Sequence, residues 1–244
     1  MRPFWILFTV LALAGVFAGY YAVTWRGFLP KHIVVSGNRE VSAHEIAQRA
    51  AISPRINMWL QNTADIANRV AAIPYVHDVH VYRIPPSTIK IAVTERSPFA
   101  IVNYLDAEAL VDRDMRVLAA STKGSDVRVL VVPDGFRGPT LITYPQLQAP
   151  PVGAFARNAG LLRLRNDFET LHDTGVALRI VKLDANGDLS AITPSMVQLL
   201  LGDDEGLARK ATLIEPILKQ VGSRGRPVAA IDLRAPGTPV VVYR

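Results

Sequence analysis

The spacing of hydrophobic and polar positions divides the 244-residue chain into segments with different periods. From Phe4 to Trp25 there is no charged side chain and no polar face. Phe4 and Trp5 stand at one end of this run, and Tyr20, Tyr21 and Trp25 at the other. A helix of this length covers about 33 Å, matching the roughly 30 Å hydrocarbon core of a bilayer, and aromatic ends suit the membrane interface. The pattern predicts a retained transmembrane helix over residues 4–25, behind a short cytoplasmic tail at 1–3. A cleaved signal peptide is the rival reading, with Val16-Phe17-Ala18 as a small-residue cleavage site. The short leading segment and the continuation of the apolar run past Ala18 weigh against cleavage. A buried core helix is a third reading, disfavoured because the run is apolar on all sides. Arg26 and Lys31 after the run, against Arg2 before it, place the charge count mildly on the side of a cytoplasmic domain.

Beyond Arg26 the pattern shortens. His32-Ile33-Val34-Val35 is β-branched and closes on the turn Ser36-Gly37-Asn38, predicting a strand. Ser42 and Glu45 have capping-box spacing, and Ile46, Ala47, Ala50 and Ala51 form the inward stripe of the helix that follows. A second helix is predicted from about Thr63 to Ala72, with Ile66, Val70 and Ile73 on one side and Pro74 as its stop. Two period-two segments follow. Val79 and Val81 alternate with polar residues over Val76–Arg83, and Ile89, Ile91 and Val93 do so over Thr88–Glu95, so each strand buries one face. Pro85-Pro86-Ser87 turns the chain between them. The order is β-α-α-β-β, a small sheet with two helices on one face.

The second half reads as mostly β. Strands are predicted at Phe99–Asn103, Ala109–Val111, Val117–Ala120, Arg128–Val132, Leu178–Leu183 and Leu189–Thr193. The last two flank Asp184-Ala185-Asn186-Gly187-Asp188, a hairpin signal. Helices are expected over Ala154–His172 and Glu205–Val221, the second kinked or broken at Pro216. Pro133–Pro151 holds five prolines and reads as a surface loop. Final strands are expected at Val228–Leu233 and Pro239–Tyr243.

Composition narrows the chemistry. With no cysteine there is no disulfide scaffold, thiolate metal site or cysteine nucleophile. The net charge of +6 is spread along the chain without a basic run or an interleaved aromatic platform, so it reads as a solvated surface rather than a nucleic-acid site. His77 and His80 lie three apart on a strand and face opposite ways. Asp184–Asp188 places its glycine wrongly for a calcium loop. Asp203-Asp204-Glu205 suits the start of a helix. No phosphate loop, zinc-protease motif or serine elbow is present, so no catalytic residue, cofactor or metal is expected and the chain reads as a non-enzyme.

Four elements in order carry a resemblance: Val35-Ser36-Gly37-Asn38, Ile73-Pro74-Tyr75-Val76, Tyr82-Arg83-Ile84-Pro85 and Val93-Thr94-Glu95-Arg96-Ser97-Pro98. Together they look like a POTRA domain, and more narrowly resemble the FtsQ/DivIB family of bacterial cell-division proteins. Ala109-Leu110-Val111-Asp112 and Ile231-Asp232-Leu233-Arg234 extend the likeness toward the end of the chain. Met115 departs from it, standing in a turn where glycine is common. The short tail departs as well, which puts tail-reading partners in doubt.

The resemblance implies an α+β protein: one N-terminal transmembrane helix, a POTRA domain over 28–97, and a mostly antiparallel β domain with flanking helices over 98–244. It implies a scaffold at the division septum in the cell inner membrane, with the bulk of the chain periplasmic or extracytoplasmic. Its partners would be FtsB-like and FtsL-like bitopic division proteins and, through them, septal peptidoglycan synthases. A POTRA-bearing envelope transport or assembly component is the alternative, followed by an anchored cell-wall enzyme. The expected docking site is the last strand segment, Thr238, Val240, Val241, Val242 and Tyr243. Its β-branched run lacks the charges that blunt an edge, and a partner strand would add there by β-augmentation. The competing reading is an ordinary core strand, with Val240 and Val242 facing the interior.

Overall fold

The computed structural model describes residues 2–122, 130–222 and 227–244. The chain divides into two compact units, Met1–Arg96 and Ser97–Arg244.

The first unit begins with helix α1 (Arg2–Thr24), whose described side chains from Trp5 to Tyr21 are all exposed. Among the described residues no helix is long and apolar enough to cross a membrane. This overturns the expected transmembrane helix over 4–25. The core-helix reading fails too, because these side chains are not buried. The expected tail at 1–3 is not separate: Arg2 and Pro3 belong to α1, and Met1 lies outside the described residues.

After a 3-10 turn at Arg26–Phe28 come strand β1 (His32–Ser36), helices α2 (Ala43–Ala50) and α3 (Thr63–Ala71), and strands β2 (Val76–Ile84) and β3 (Thr88–Glu95). Ser42 caps α2, its Oγ accepting from the Glu45 amide at 3.1 Å. Ile46 and Ala50 are buried and Ala47 is half-buried. Ala51 is exposed in the left-handed region at φ 47°, so the inward stripe ends one residue earlier than the sequence suggests. Ile46, Ile66, Val70 and Ile73 close on Ile89, Ile91 and Val93 to form one core.

Sheet order is β1-β3-β2, with β1 parallel and β2 antiparallel to the central β3. Gly37, at φ +89°, passes so close to the Val93 carbonyl that a β-carbon would collide with it. Charged motif residues act as latches. The Glu95 carboxylate accepts from the Glu40 and Val41 amides at 2.8 and 3.0 Å, and Arg96 donates through its amide to the Tyr75 carbonyl at 2.7 Å. The Arg83 guanidinium donates to the Met58 carbonyl at 2.8 Å and the Gln61 carbonyl at 2.5 Å.

The described residues of the second unit form one nine-stranded sheet with two helices. Its elements are β4 (Pro98–Asn103), β5 (Ala107–Asp112), β6 (Val117–Thr122), β7 (Thr140–Thr143), α4 (Ala159–Asp173), β8 (Ile180–Leu183), β9 (Leu189–Ile192), β10 (Gln198–Gly202), α5 (Leu207–Gly222), β11 (Val228–Asp232) and β12 (Val240–Tyr243). Strand order is β12-β11-β10-β9-β8-β7-β4-β5-β6. Parallel ladders join β4 to β7, β7 to β8 and β10 to β11; the others are antiparallel, so the sheet is mixed. Leu161, Leu164 and Leu171 of α4 and Ala211 and Ile214 of α5 join the same buried cluster as Val181, Leu199 and Ile231 of the sheet.

Several expectations change here. Pro133–Pro151 is not only a surface loop, since it contains β7, a central strand with Leu141 fully buried. No strand forms at 130–132, and residues 128 and 129 lie outside the described residues. β10 was not expected. α4 starts at Ala159 because Asn158 caps it, accepting from the Gly160 and Leu161 amides at 2.9 and 3.2 Å. α5 starts at Leu207 and runs through Pro216 without a break. Met115 keeps the glycine-like conformation, φ 62°, although it is fully buried. Strain of about 1–2 kcal/mol in that region is offset by burying its thioether side chain.

Candidate partner-binding edge

The turn at the end of β11 positions the last strand. Asp232 takes a forked contact from Arg234, with Nε 3.1 Å from both carboxylate oxygens and Nη2 2.6 Å from Oδ2. The Arg234 side-chain hydrogen bond, helped by the Arg234 amide and charge and opposed by burial, holds the Asp232 carboxyl below the usual carboxylate range. Thr238 closes the turn by donating its amide to the Ala235 carbonyl at 3.0 Å, and it lies before the strand rather than in it. β12 then runs antiparallel to β11, pairing Val240 with Asp232, Val241 with Ile231 and Val242 with Ala230.

β12 is the end strand of the sheet, with β11 as its single neighbour among the described residues. Arg244 donates its amide to the Pro227 carbonyl at 2.9 Å. Backbone groups alternate in direction along an antiparallel strand, so the amides of Val240 and Val242 point at β11. Those of Val241 and Tyr243 point away, along the open edge. Side chains follow the same alternation. Val241 shares a face with the fully buried Ile231 and is half-buried, whereas Val240 and Val242 are 57% and 49% exposed. The interior therefore receives Val241, and the reading that buries Val240 and Val242 does not hold. Tyr243, 36% exposed, stands at the end of the strand.

The opposite edge differs. The chain returns beside β6, where Gly153 donates to the Val117 carbonyl at 2.8 Å and Val117 to the Ala154 carbonyl at 2.9 Å. Ala156 donates to the Met115 carbonyl at 2.7 Å. Above this strap the Arg116 and Arg157 guanidinium groups lie 5.8 and 5.4 Å from the centre of the Phe155 ring.

Other residues considered for chemistry sit in structural roles. His80 Nε2 lies 3.0 Å from Asp78 Oδ2 on the exposed face of β2. The Asp184 carboxylate accepts from the Asn186 and Asp188 amides, both at 2.8 Å, and so builds the hairpin turn. Asp203 binds the buried Lys210, whose Nζ also donates to the Leu201 and Asp203 carbonyls. Among the described residues no group of three or more His, Asp or Glu side chains is placed to hold a metal ion. The Asp232–Arg234 fork was missed by sequence reading, although its two charges two residues apart at a strand exit are its signal.

The sequence profile for a POTRA domain, FtsQ-type, matches residues 28–96. The cell division protein FtsQ of Mycolicibacterium smegmatis is 27% identical over 214 residues, covering 86% of this chain and 56% of that protein. The cell division protein FtsQ of Xanthomonas campestris pv. campestris is 27% identical over 207 residues, covering 82% and 64%. That of Rhodothermus marinus is 34% identical over 151 residues, covering 59% and 51%. The chain thus spans 56%, 64% and 51% of the length of these three relatives. With the motif latches of the first unit in place, residues 28–96 form a POTRA domain of the FtsQ type, and the chain is similar along most of its length to bacterial cell division proteins named FtsQ.

Proposed function

We propose that the chain is a non-enzymatic scaffold of the bacterial division machinery, and that it works at the septum by taking a partner strand on the open edge of β12. The observation that carries this reading is the pair of outward amides at Val241 and Tyr243, on a strand with no charged side chain before Arg244. Unpaired edges of this kind are templates for another chain. Main-chain hydrogen bonds supply the affinity of strand addition, and alternate side chains supply its specificity. The partners are FtsB-like and FtsL-like bitopic division proteins, and through them the chain is linked to septal peptidoglycan synthesis. Tyr243 adds amphipathic contact area at the end of the docked strand.

The geometry supplies a paired test. Val241→Pro deletes an outward amide and spares the ladder to β11, a placement proline tolerates on an edge strand. The variant is expected to keep its circular dichroism spectrum and lose binding to an FtsB-like segment. Unchanged affinity in a folded Val241→Pro protein rejects β12 as the docking edge.

A further inference from the structure

The segment between α2 and α3 is built the wrong way round for a surface loop. Its polar residues Asn57 and Gln61 are 5% and 8% exposed, while Ile56, Trp59 and Leu60 are 47%, 45% and 60% exposed. Hydrogen bonds hold this inversion in place. The Gln61 side chain donates to the Ser53 and Ile56 carbonyls, both at 2.9 Å, and accepts from the Ser53 amide at 3.2 Å. The Asn57 carboxamide oxygen accepts from the Trp59 amide at 3.0 Å, and its carbonyl accepts from the Leu60 amide at 2.9 Å. Arg83 clamps the Met58 and Gln61 carbonyls from β2, Met58 is fully buried, and its amide donates to the Phe28 carbonyl at 2.9 Å. A loop fixed this firmly holds three apolar side chains in water because something covers them.

Two features say what covers them. An aromatic series links the loop to α1. The ring centres of Tyr21 and Trp25 are 6.2 Å apart, those of Trp25 and Phe28 4.7 Å, and those of Phe28 and Trp59 6.1 Å. The exposed apolar surface of the loop therefore continues into that of α1. Its charge is of one sign. Residues 1–39 and 46–64 contain no acidic side chain, and Arg26 and Arg55 are exposed next to Trp25 and Ile56. Apolar and indole groups rimmed by cations match a bilayer surface with anionic headgroups, where tryptophan seats its ring at headgroup level and basic side chains meet lipid phosphate.

We infer that Ile56, Trp59 and Leu60 form a lipid-contacting platform that rests the first unit on an anionic bilayer surface. The contact needs only the headgroup and upper acyl region, and it is independent of strand addition at β12.

The chain has no cysteine, so Leu60→Cys gives one nitroxide site in the 244-residue chain. Label collisions with oxygen and with a water-soluble nickel chelate are compared with and without vesicles of mixed phosphatidylcholine and phosphatidylglycerol. A label at Glu45→Cys, exposed on α2, is the control. With vesicles the label at residue 60 should gain oxygen collisions and lose chelate collisions while the control keeps its chelate access. Arg55→Glu, or pure phosphatidylcholine vesicles, should weaken the change at residue 60. If the chain sediments with vesicles while the residue-60 label stays as open to the chelate as the control, the platform does not touch lipid and a protein partner is left as its cover. Failure to sediment with vesicles overturns the inference equally.

Discussion

The two ends of the nine-stranded sheet face the same physical problem and meet it differently. At β6 the backbone groups near Val117 are taken up by the returning segment 153–156, and two arginines close over Phe155. At β12 no strand among the described residues pairs with the outer amides, and the strand carries valines where charges would repel a newcomer. Covering an edge is the ordinary way to avoid unwanted pairing. A sheet strapped at the start of one edge strand and, among the described residues, unpaired along the other is the contrast on which the proposed strand addition at β12 rests.

Substitutions can break this contrast, the strongest at the covered end. Met115→Ala removes a fully buried side chain beside the strap and keeps the left-handed backbone, and should cost about 2–5 kcal/mol in a denaturant melt. Met115→Gly relieves the backbone strain and should cost about 1 kcal/mol less than the alanine variant. If both lose the same amount, the φ of 62° carries no strain.

Next in size is Val242→Pro, which deletes an amide pointing at β11 and leaves its partner carbonyl without a donor. About 1–3 kcal/mol should be lost, against no more than about 0.5 kcal/mol for Val241→Pro. Equal losses at the two positions would mean that the amide directions along β12 are wrong. Phe155→Ala, which removes the ring under Arg116 and Arg157, should cost about 1 kcal/mol. It should also raise self-association in analytical ultracentrifugation, because the covered edge loosens.

The smallest effect concerns pH. The folded Asp232 carboxyl lies below its ordinary value of 3.8, so its contribution to stability is present above that value. It is lost as pH falls through the lower folded value. Because Arg234 is 61% exposed, the contribution is no more than about 0.5 kcal/mol. Asp232→Asn should flatten the stability profile in that window, and an unchanged acid limb removes the fork from the account of β12.

Local pattern made much of the first unit legible. Alternation at Ile89, Ile91 and Val93 and the cap at Ser42 are near-neighbour facts, written where they act. What escaped was set by distant partners. β7 is four residues, Thr-Leu-Ile-Thr, between Pro139 and Pro145, too short for a period. Its strand character comes from β4 and β8 on either side. β10 is three leucines between Gln198 and Gly202, a short apolar run that a buried strand and a helix segment share. At the candidate edge the strand could be read, but its facing could not. Whether Val240 or Val241 looks inward depends on pairing with Ile231, and a slip of one residue would reverse it. The loop at 52–62 has no period, and its inverted burial rests on the Arg83 clamp from β2.

The alternation along β12 gives strand addition a reading frame. Residues of an incoming segment that fall beside Val241 and Tyr243 extend the buried side of the sheet, and those beside Val240 and Val242 extend the open side. A segment that docks in frame presents apolar residues at every second position and polar ones between. The same segment moved by one residue would carry its polar groups toward the core. On the proposed strand addition, β12 would select a phase as well as a composition, so inserting one residue in the middle of a partner's docking segment should disrupt binding more than several substitutions at its open-side positions.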